Sequence, residues 1–171
     1  MHPWLRDVYL VYFVTHIPVT IIVDMQALVG HLYPRFMQQV IDWYITNFKG
    51  TIVCPYTPLY HRLDPLFIHK PAWFRGMVLC EALFQFPFLF YAVHGFIHRN
   101  DSIRIPCIIY GAHVATTVVP ILAETLESTE IRDQERRTLL AFYTPYLLIP
   151  LSLMIYMAAY SSPFSRSLKR F

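Results

Sequence analysis

Two acidic side chains fall inside long apolar stretches of the sequence, Asp24 near the end of the first stretch and Glu81 well inside the second. A carboxylate at the centre of a membrane-spanning helix costs about 2.5–3.5 kcal/mol on insertion scales, so such a residue usually serves a function. Lys and Arg are absent at comparable depth in both stretches. If Glu81 carries a proton, it can donate a hydrogen bond to an ionised Asp24. One negative charge would then face an apolar cavity, which suits a lipophilic amine or a developing carbocation.

Polar residues recur at helical spacing beside both carboxylates. His16, Thr20 and Asp24 are four residues apart, so they share one helical face, and Gln85 follows Glu81 at the same interval. We predict that both faces point into a helical bundle. For His16, Thr20 and Gln85 taken singly, hydrogen bonding between helices is an alternative explanation. Two carboxylates without a basic partner are harder to explain in that way.

The elements that would position these residues are membrane-spanning helices. Hydrophobic residues make up 56% of the sequence and charged residues 15%, against roughly 45–50% and about 25% in a soluble domain. Four apolar stretches reach the ~20 residues that cross a bilayer, and they cover residues 8–28, 73–97, 103–123 and 139–160. A cleaved signal peptide is the alternative for the first stretch, but its long apolar core favours a retained span. The predicted fold is an all-α membrane protein, a single domain of four spans over residues 1–171.

The third and fourth spans would supply the remaining walls of a cavity. His113, Thr116 and Thr117 lie near the middle of the third span, and Tyr143 and Tyr146 lie in the fourth. Every span contains proline, which removes a backbone hydrogen bond and tends to kink a helix, although proline is also commoner in membrane helices generally. These prolines are Pro18, Pro87, Pro106, Pro120, Pro145 and Pro150. Kinked helices would leave room between them.

A long first loop, about residues 30–71, separates the first two spans. Phe36, Val40 and Phe48 recur at helical spacing, which predicts a short amphipathic helix at the membrane interface or a lid packed on the bundle. The segment 54–58 contains two prolines and is predicted to be irregular. The sequence has no Cys/His zinc spacing and no phosphate-binding glycine loop, so neither a metal nor a cofactor is predicted.

The charge pattern indicates an orientation and excludes one class of partner. Basic residues concentrate in the N-terminal segment, the second loop and the C-terminal tail, which predicts cytoplasmic termini by the positive-inside rule. They are Arg6, Arg99, Arg104, Arg166, Lys169 and Arg170. The formal net charge of +3, without a basic stripe, argues against nucleic-acid binding.

Runs of residues in all four spans resemble the sigma-2 receptor family, whose members share the EXPERA domain with the emopamil-binding sterol isomerase. The runs include His16-Ile17-Pro18-Val19-Thr20, Asp24-Met25-Gln26-Ala27, Pro71-Ala72-Trp73-Phe74, Cys80-Glu81-Ala82-Leu83-Phe84-Gln85-Phe86-Pro87-Phe88, Ile108-Ile109-Tyr110 and Tyr143-Thr144-Pro145-Tyr146-Leu147-Leu148-Ile149-Pro150. The resemblance implies a four-helix protein of the endoplasmic reticulum membrane, usually a homodimer. It further implies binding of cholesterol or related sterols and of cationic amphiphilic small molecules, and a part in cholesterol homeostasis.

The resemblance also implies roles for particular residues. Asp24 would form a salt bridge to a ligand amine, and Glu81 would be its protonated hydrogen-bond partner. Asp64 would help to close the mouth of the pocket, although residues 50–63 look longer than the family's counterpart. The other predicted ligand-binding residues are Gln85, Thr117, Tyr146, His16, Met25 and Tyr143.

An enzyme is the main alternative function. The related isomerase protonates a sterol double bond and stabilises the resulting cation, which needs a proton donor and a separate acceptor. The isomerase carries a His and a Glu four residues apart in its second span. The corresponding residues here look like Glu81 and Gln85. An amide cannot exchange a proton in that role, so we predict a binding protein without catalysis. A lipid carrier or a chaperone for another membrane protein is a third hypothesis.

Overall fold

The computed structural model of the chain describes residues 1–37, 39, 66, 69, 71–129 and 131–164. Four long helices dominate this part, each long and apolar enough to cross a membrane: α1 (Pro3–Leu32), α2 (Ala72–Ile97), α3 (Asp101–Glu127) and α4 (Asp133–Ala159). Strands are absent from the described residues. The predicted fold class, an all-α bundle of four membrane helices, is confirmed.

Most helix ends lie outside the predicted apolar stretches, although α2 ends at the predicted residue 97 and α4 ends one residue before the predicted 160. Helix ends are set by capping groups as well as by hydropathy. At the start of α4, for example, the backbone N–H of Arg132 donates to the Glu135 side chain at 3.0 Å. Several predictions lie outside the described residues: the continuation of the amphipathic helix beyond residue 39, the irregular segment 54–58, Asp64, and the basic tail with Arg166, Lys169 and Arg170. The division into a single domain stays a prediction.

The two helices that carry the intramembrane carboxylates each contain one wide turn. In α1, an α-helix over Pro3–Val19 is followed by a π-helical turn over Thr20–Asp24. In α2, the α-helix Ala72–Cys80 leads into a π-helical turn over Glu81–Gln85 and resumes at Phe86–Ile97. Such turns are rare and occur frequently at functional sites. Here they contain both Asp24 and Glu81.

Proline accounts for the wide turn in α2. Pro87 has no N–H and its ring crowds the preceding turn, so it cannot make the usual α-helical hydrogen bond to the carbonyl of Leu83. The N–H of Phe86 instead reaches the carbonyl of Glu81, five residues back. The disturbance expected from proline is therefore present at Pro87, in the form of a widened turn.

Side chains satisfy carbonyl groups in the wide turn of α1. The Tyr33 hydroxyl donates to the carbonyl of Ile21 at 2.6 Å, and the Gln26 amide donates to the carbonyl of Ile22 at 2.6 Å. An unsatisfied carbonyl in the membrane interior costs several kcal/mol, because no water is available there. These two side chains therefore stabilise the turn that holds Asp24.

The hydrophobic core and the open space occupy opposite halves of the antiparallel bundle. Aromatic and aliphatic side chains fill the half formed by the first parts of α1 and α3 and the last parts of α2 and α4, including the fully buried Phe13, Phe96, Ile103, Leu153 and Met157. The rings of Phe13 and Phe96 lie 5.6 Å apart. This packed half fixes the helices relative to one another, so the other half can stay open.

Two arginines fix the register of α3 and α4. Arg104, at the start of α3, donates to the carbonyl of Met157 near the end of α4 at 2.8 Å. Arg136, in the first turn of α4, donates to the carbonyls of Thr125 (3.3 Å) and Ser128 (2.8 Å) at the end of α3. A cation satisfies the free carbonyls of a helix C-terminus and interacts favourably with the helix dipole. Each helix therefore caps the other.

Gly111 allows the backbones of α3 and α4 to approach closely. A Cβ atom at this position would lie 2.6 Å from the Met154 Cβ and 2.6 Å from the Pro150 carbonyl oxygen. We expect Gly111→Ala to lower the free energy of unfolding by about 1–3 kcal/mol, as overpacking usually does. Thermal unfolding of the purified protein in detergent measures the effect.

The matched control is Gly76→Ala in α2, where an added Cβ would meet nothing within 4 Å. Alanine favours a helix over glycine by about 1 kcal/mol, so this variant should be neutral or more stable. Equal destabilisation by the two substitutions would contradict the close approach of α3 and α4.

Candidate ligand-binding site

A cavity of about 260 Å³ lies between the four helices, in the half of the bundle opposite the packed core. Its apolar walls are Val19, Val23, Phe74, Met77, Val78, Val114, Val118, Ile121 and Phe142. A mostly apolar cavity with a few convergent polar groups is the usual form of a small-molecule site. The position and lining of this cavity suit a lipophilic molecule.

Asp24 from α1 and Glu81 from α2 meet at the cavity wall. Their carboxyl groups hydrogen-bond to each other, and the Thr20 hydroxyl donates to Glu81 Oε1 at 3.1 Å. Two carboxyl groups can share a hydrogen bond only if one of them holds a proton, because an ionised carboxylate is an acceptor alone. The pair in this geometry therefore carries at least one proton.

His16 is the third polar group at this end of the cavity. Its Nε2 atom lies 3.8 Å from Glu81 Oε1, and its Nδ1 atom lies 3.4 Å from the Tyr110 hydroxyl. That hydroxyl is in turn 3.1 Å from the hydroxyl of Tyr12. The imidazole ring also packs edge-on against Tyr146, with ring centroids 4.9 Å apart. Packing and hydrogen bonding together fix the orientation of the His16 ring.

Gln85 forms a second polar point farther along α2. Its amide lies 2.9 Å from His113 Nδ1 on α3, and it also lines the cavity. Gln85 therefore forms a hydrogen bond between helices, as the alternative explanation proposed, and it lines the cavity as well. Thr117 lines the same region, where its hydroxyl donates to the carbonyl of Val114 at 2.9 Å.

The structure brings together most of the residues that the sequence predicted for a ligand site. Those that line the cavity are His16, Asp24, Glu81, Gln85, Thr117, Tyr143 and Tyr146, and their role in binding stays a prediction. Met25 is not among the described residues that line the cavity; it packs against the cluster that contains Ala27 and Phe74, and its role in binding also stays a prediction. Asp64 lies outside the described residues.

Some residues of the site were not predicted, although the helical spacing of two of them was visible in the sequence. Phe74 and Val78 precede Glu81 and Gln85 at steps of three and four, so their membership of one face could have been read from helical spacing. The hydrogen bond between Tyr110 and His16 joins α3 to α1, and no local pattern indicates it.

Comparison with known proteins identifies the family of the chain. The model of the EXPERA (EXPanded EBP superfamily) domain matches residues 36–157. The chain belongs to the EXPERA family. Sigma intracellular receptor 2 of Homo sapiens is 37% identical to this EXPERA protein over 159 residues, which cover 85% of the chain and 82% of the human protein. The resemblance proposed from the sequence is thereby confirmed.

Two further relatives show how widely the match extends. Sigma intracellular receptor 2 of Xenopus tropicalis is 36% identical over 163 residues, 90% of the chain and 87% of the frog protein. Efficient mitochondria targeting-associated protein 19 of Saccharomyces cerevisiae is 24% identical over 165 residues, 86% of the chain and 94% of the yeast protein. This EXPERA protein therefore matches these three relatives over 82–94% of their length.

The Thr20 hydroxyl should stabilise the carboxyl pair of the EXPERA protein. Thr20 is fully buried and donates to Glu81, and Thr20→Val keeps the shape of the side chain but removes the donor. We expect a loss of about 1–3 kcal/mol in the free energy of unfolding, the penalty for a buried acceptor without its donor. Unfolding in detergent measures it.

Thr15→Val provides the control, because the Thr15 hydroxyl donates to carbonyls of its own helix, those of Val11 and Tyr12. This substitution should change the unfolding free energy by less than about 0.5 kcal/mol, as surface substitutions usually do. If Thr20→Val were equally mild, the hydroxyl would have no part in holding the carboxyl pair.

Proposed function

We propose that this EXPERA protein is an intramembrane receptor for sterol-like lipids and lipophilic cationic amines, in which Asp24 is the counter-ion of the ligand amine. The observation that supports this function is the hydrogen-bonded pair of Asp24 and Glu81 on the wall of an otherwise apolar cavity. An ammonium ion beside the pair would neutralise its single negative charge where the dielectric constant is low. The apolar walls would hold the remainder of the ligand.

The two carboxyl groups have different roles in this proposal. We assign the shared proton to Glu81, because the sequence places it farther from the end of its apolar stretch than Asp24, and Glu81 would then donate a hydrogen bond to Asp24. Asp24 would carry the negative charge that faces the ligand amine. The naming of two relatives as receptors supports binding as the function.

We infer that the protein resides in the membrane of the endoplasmic reticulum, as a homodimer with cytoplasmic termini, and takes part in cholesterol homeostasis. The orientation rests on the sequence: Arg6, Arg99 and Arg104 lie in short flanking segments at one end of the bundle, whereas Arg132, Arg136 and Arg137 at the other end are accompanied by Glu124, Glu127, Asp133 and Glu135. With that orientation, the cavity lies in the half of the bilayer that faces away from the cytoplasm.

Asp24→Asn should weaken binding of a lipophilic tertiary amine at least about 30-fold, because loss of one partner of a buried charge pair costs about 2 kcal/mol or more. Glu81→Gln should be milder, because the amide keeps a hydrogen-bond donor for Asp24. Equilibrium binding of a radiolabelled tertiary amine to purified variants measures both effects.

Glu124→Gln is the matched control, since Glu124 is an exposed carboxylate near the end of α3 and away from the cavity. Each variant must also elute as a single species and unfold at a temperature close to that of the parent. Unchanged affinity in Asp24→Asn would remove Asp24 from the site. An equally large loss in Glu81→Gln would contradict the proton assignment.

Sterol isomerisation is the second candidate, and one observation favours it. Atoms of His16, Asp24 and Glu81 that can exchange protons all lie within 4.8 Å of one another, so a donor and an acceptor are present at the cavity wall. Gln85 weighs against catalysis, because its amide occupies the position where the resemblance places the isomerase's carboxylate.

We expect no conversion of a Δ8-sterol to its Δ7 isomer by the purified protein. Incubation in lipid nanodiscs, followed by chromatography and mass spectrometry, measures the product. Turnover that disappears in Glu81→Gln would establish an enzyme and overturn the receptor as the primary function. Turnover that persists in this variant would indicate a contaminating activity, which a parallel preparation from cells without the protein identifies.

A further inference from the structure

We propose that His16, Asp24 and Glu81 also form a binding site for one divalent transition-metal ion, with Zn²⁺ as the probe. The proposal rests on the same cavity as the proposed function and names a second class of occupant for it. The sequence motifs did not indicate a metal, because the three side chains come from α1 and α2 and only the packing of these helices brings them together.

The ligand atoms lie close to the arrangement that zinc requires. One nitrogen of His16 and one oxygen from each carboxyl group lie within 4.8 Å of one another, and the His16 Nε2 to Glu81 Oε1 distance is 3.8 Å. Zinc bonds nitrogen and oxygen at about 2.0–2.2 Å, so tetrahedral ligand atoms are about 3.3–3.6 Å apart. Side-chain shifts of less than about 1 Å would bring the three ligand atoms to these separations. Three protein ligands leave a fourth position, which would face the cavity.

The surroundings of His16 orient its ring for metal binding. Histidine ligands usually hold their second nitrogen in a hydrogen bond, which fixes the tautomer. In the tautomer with its hydrogen on Nδ1, His16 donates to the Tyr110 hydroxyl at 3.4 Å, and that hydroxyl lies 3.1 Å from Tyr12. The lone pair of Nε2 then points toward the carboxyl groups. The 3.8 Å separation from Glu81 is too long for a hydrogen bond, and the His16 side chain is only 7% exposed.

Charge favours a divalent ion at this position. With both carboxyl groups ionised and the imidazole neutral, the site carries two negative charges, and a divalent cation neutralises both. Within the described part of the chain, the cavity lining contains neither Lys nor Arg. Two protons, one proton with one ammonium ion, or one divalent cation are therefore alternative ways to neutralise the pair. Zinc and an amine ligand must exclude each other, because both require Asp24.

The test uses the full chain in lipid nanodiscs, in a background carrying His94→Ala and His98→Ala. These two exposed imidazoles, of His94 in the last turn of α2 and His98 directly after it, have ring centroids 4.3 Å apart, so they could bind zinc themselves. Calorimetric titration with Zn²⁺ gives the stoichiometry and affinity. The visible absorption of bound Co²⁺ reports the coordination geometry.

We expect one Zn²⁺ per chain and a four-coordinate Co²⁺ spectrum. Asp24→Asn, Glu81→Gln and His16→Phe should each abolish this uptake, while the control Glu124→Gln should retain it. Tyr110→Phe should weaken zinc binding about 10–100-fold, as loss of a hydrogen bond to a metal ligand usually does. Absence of uptake in the parent, or uptake that survives all three ligand substitutions, would overturn the proposal.

A competition measurement separates this inference from the proposed function. Zn²⁺ should displace the tertiary amine from the parent but have no effect on amine binding if the metal site does not exist. Amine binding without zinc uptake would refute the metal site alone. Zinc uptake without amine binding would refute the receptor function alone. Simultaneous binding of both would overturn the claim that they share Asp24.

Discussion

Two carboxyl groups in contact inside an apolar helix bundle need a positive charge or a proton between them, and much of this structure depends on that requirement. Two unit charges 4 Å apart repel by about 4 kcal/mol at an effective dielectric constant of about 20, a large part of the 5–15 kcal/mol that stabilises a typical protein. Asp24 and Glu81 avoid this repulsion by sharing a hydrogen bond, and Thr20 donates a further one. With both carboxyl groups ionised, a cation would have to take the place of the shared proton.

The packed core and the cavity occupy different halves of the bundle. One half of the bundle is filled by a continuous aromatic and aliphatic core, and Arg104 and Arg136 cap the partner helices of the α3 and α4 hairpin. The other half contains the cavity and the two wide turns, Thr20–Asp24 and Glu81–Gln85. A wide turn changes the direction of the side chains that it contains, so each carboxyl group owes its position to an irregularity of its helix.

The chemistry of the cavity follows from which groups surround the carboxyl pair. His16 contributes a nitrogen atom at 3.8 Å from Glu81, and its other nitrogen is held through Tyr110. Gln85 contributes an amide that is hydrogen-bonded to His113, and an amide binds a ligand without exchanging a proton. The resulting site has one acidic end and apolar walls, and the proposed recognition of lipophilic cations rests on this arrangement.

The sequence by itself determined the number of membrane helices and the inward position of Asp24 and Glu81, because hydropathy and helical periodicity are local properties of the chain. Pro87 likewise predicted a disturbed helix. Only the tertiary structure decided that the two carboxyl groups touch, that Met25 packs against Ala27 and Phe74, and that Tyr110 hydrogen-bonds to His16. These contacts join different helices, and their distances depend on how the helices pack and on where each one widens. No pattern within a single span contains that information.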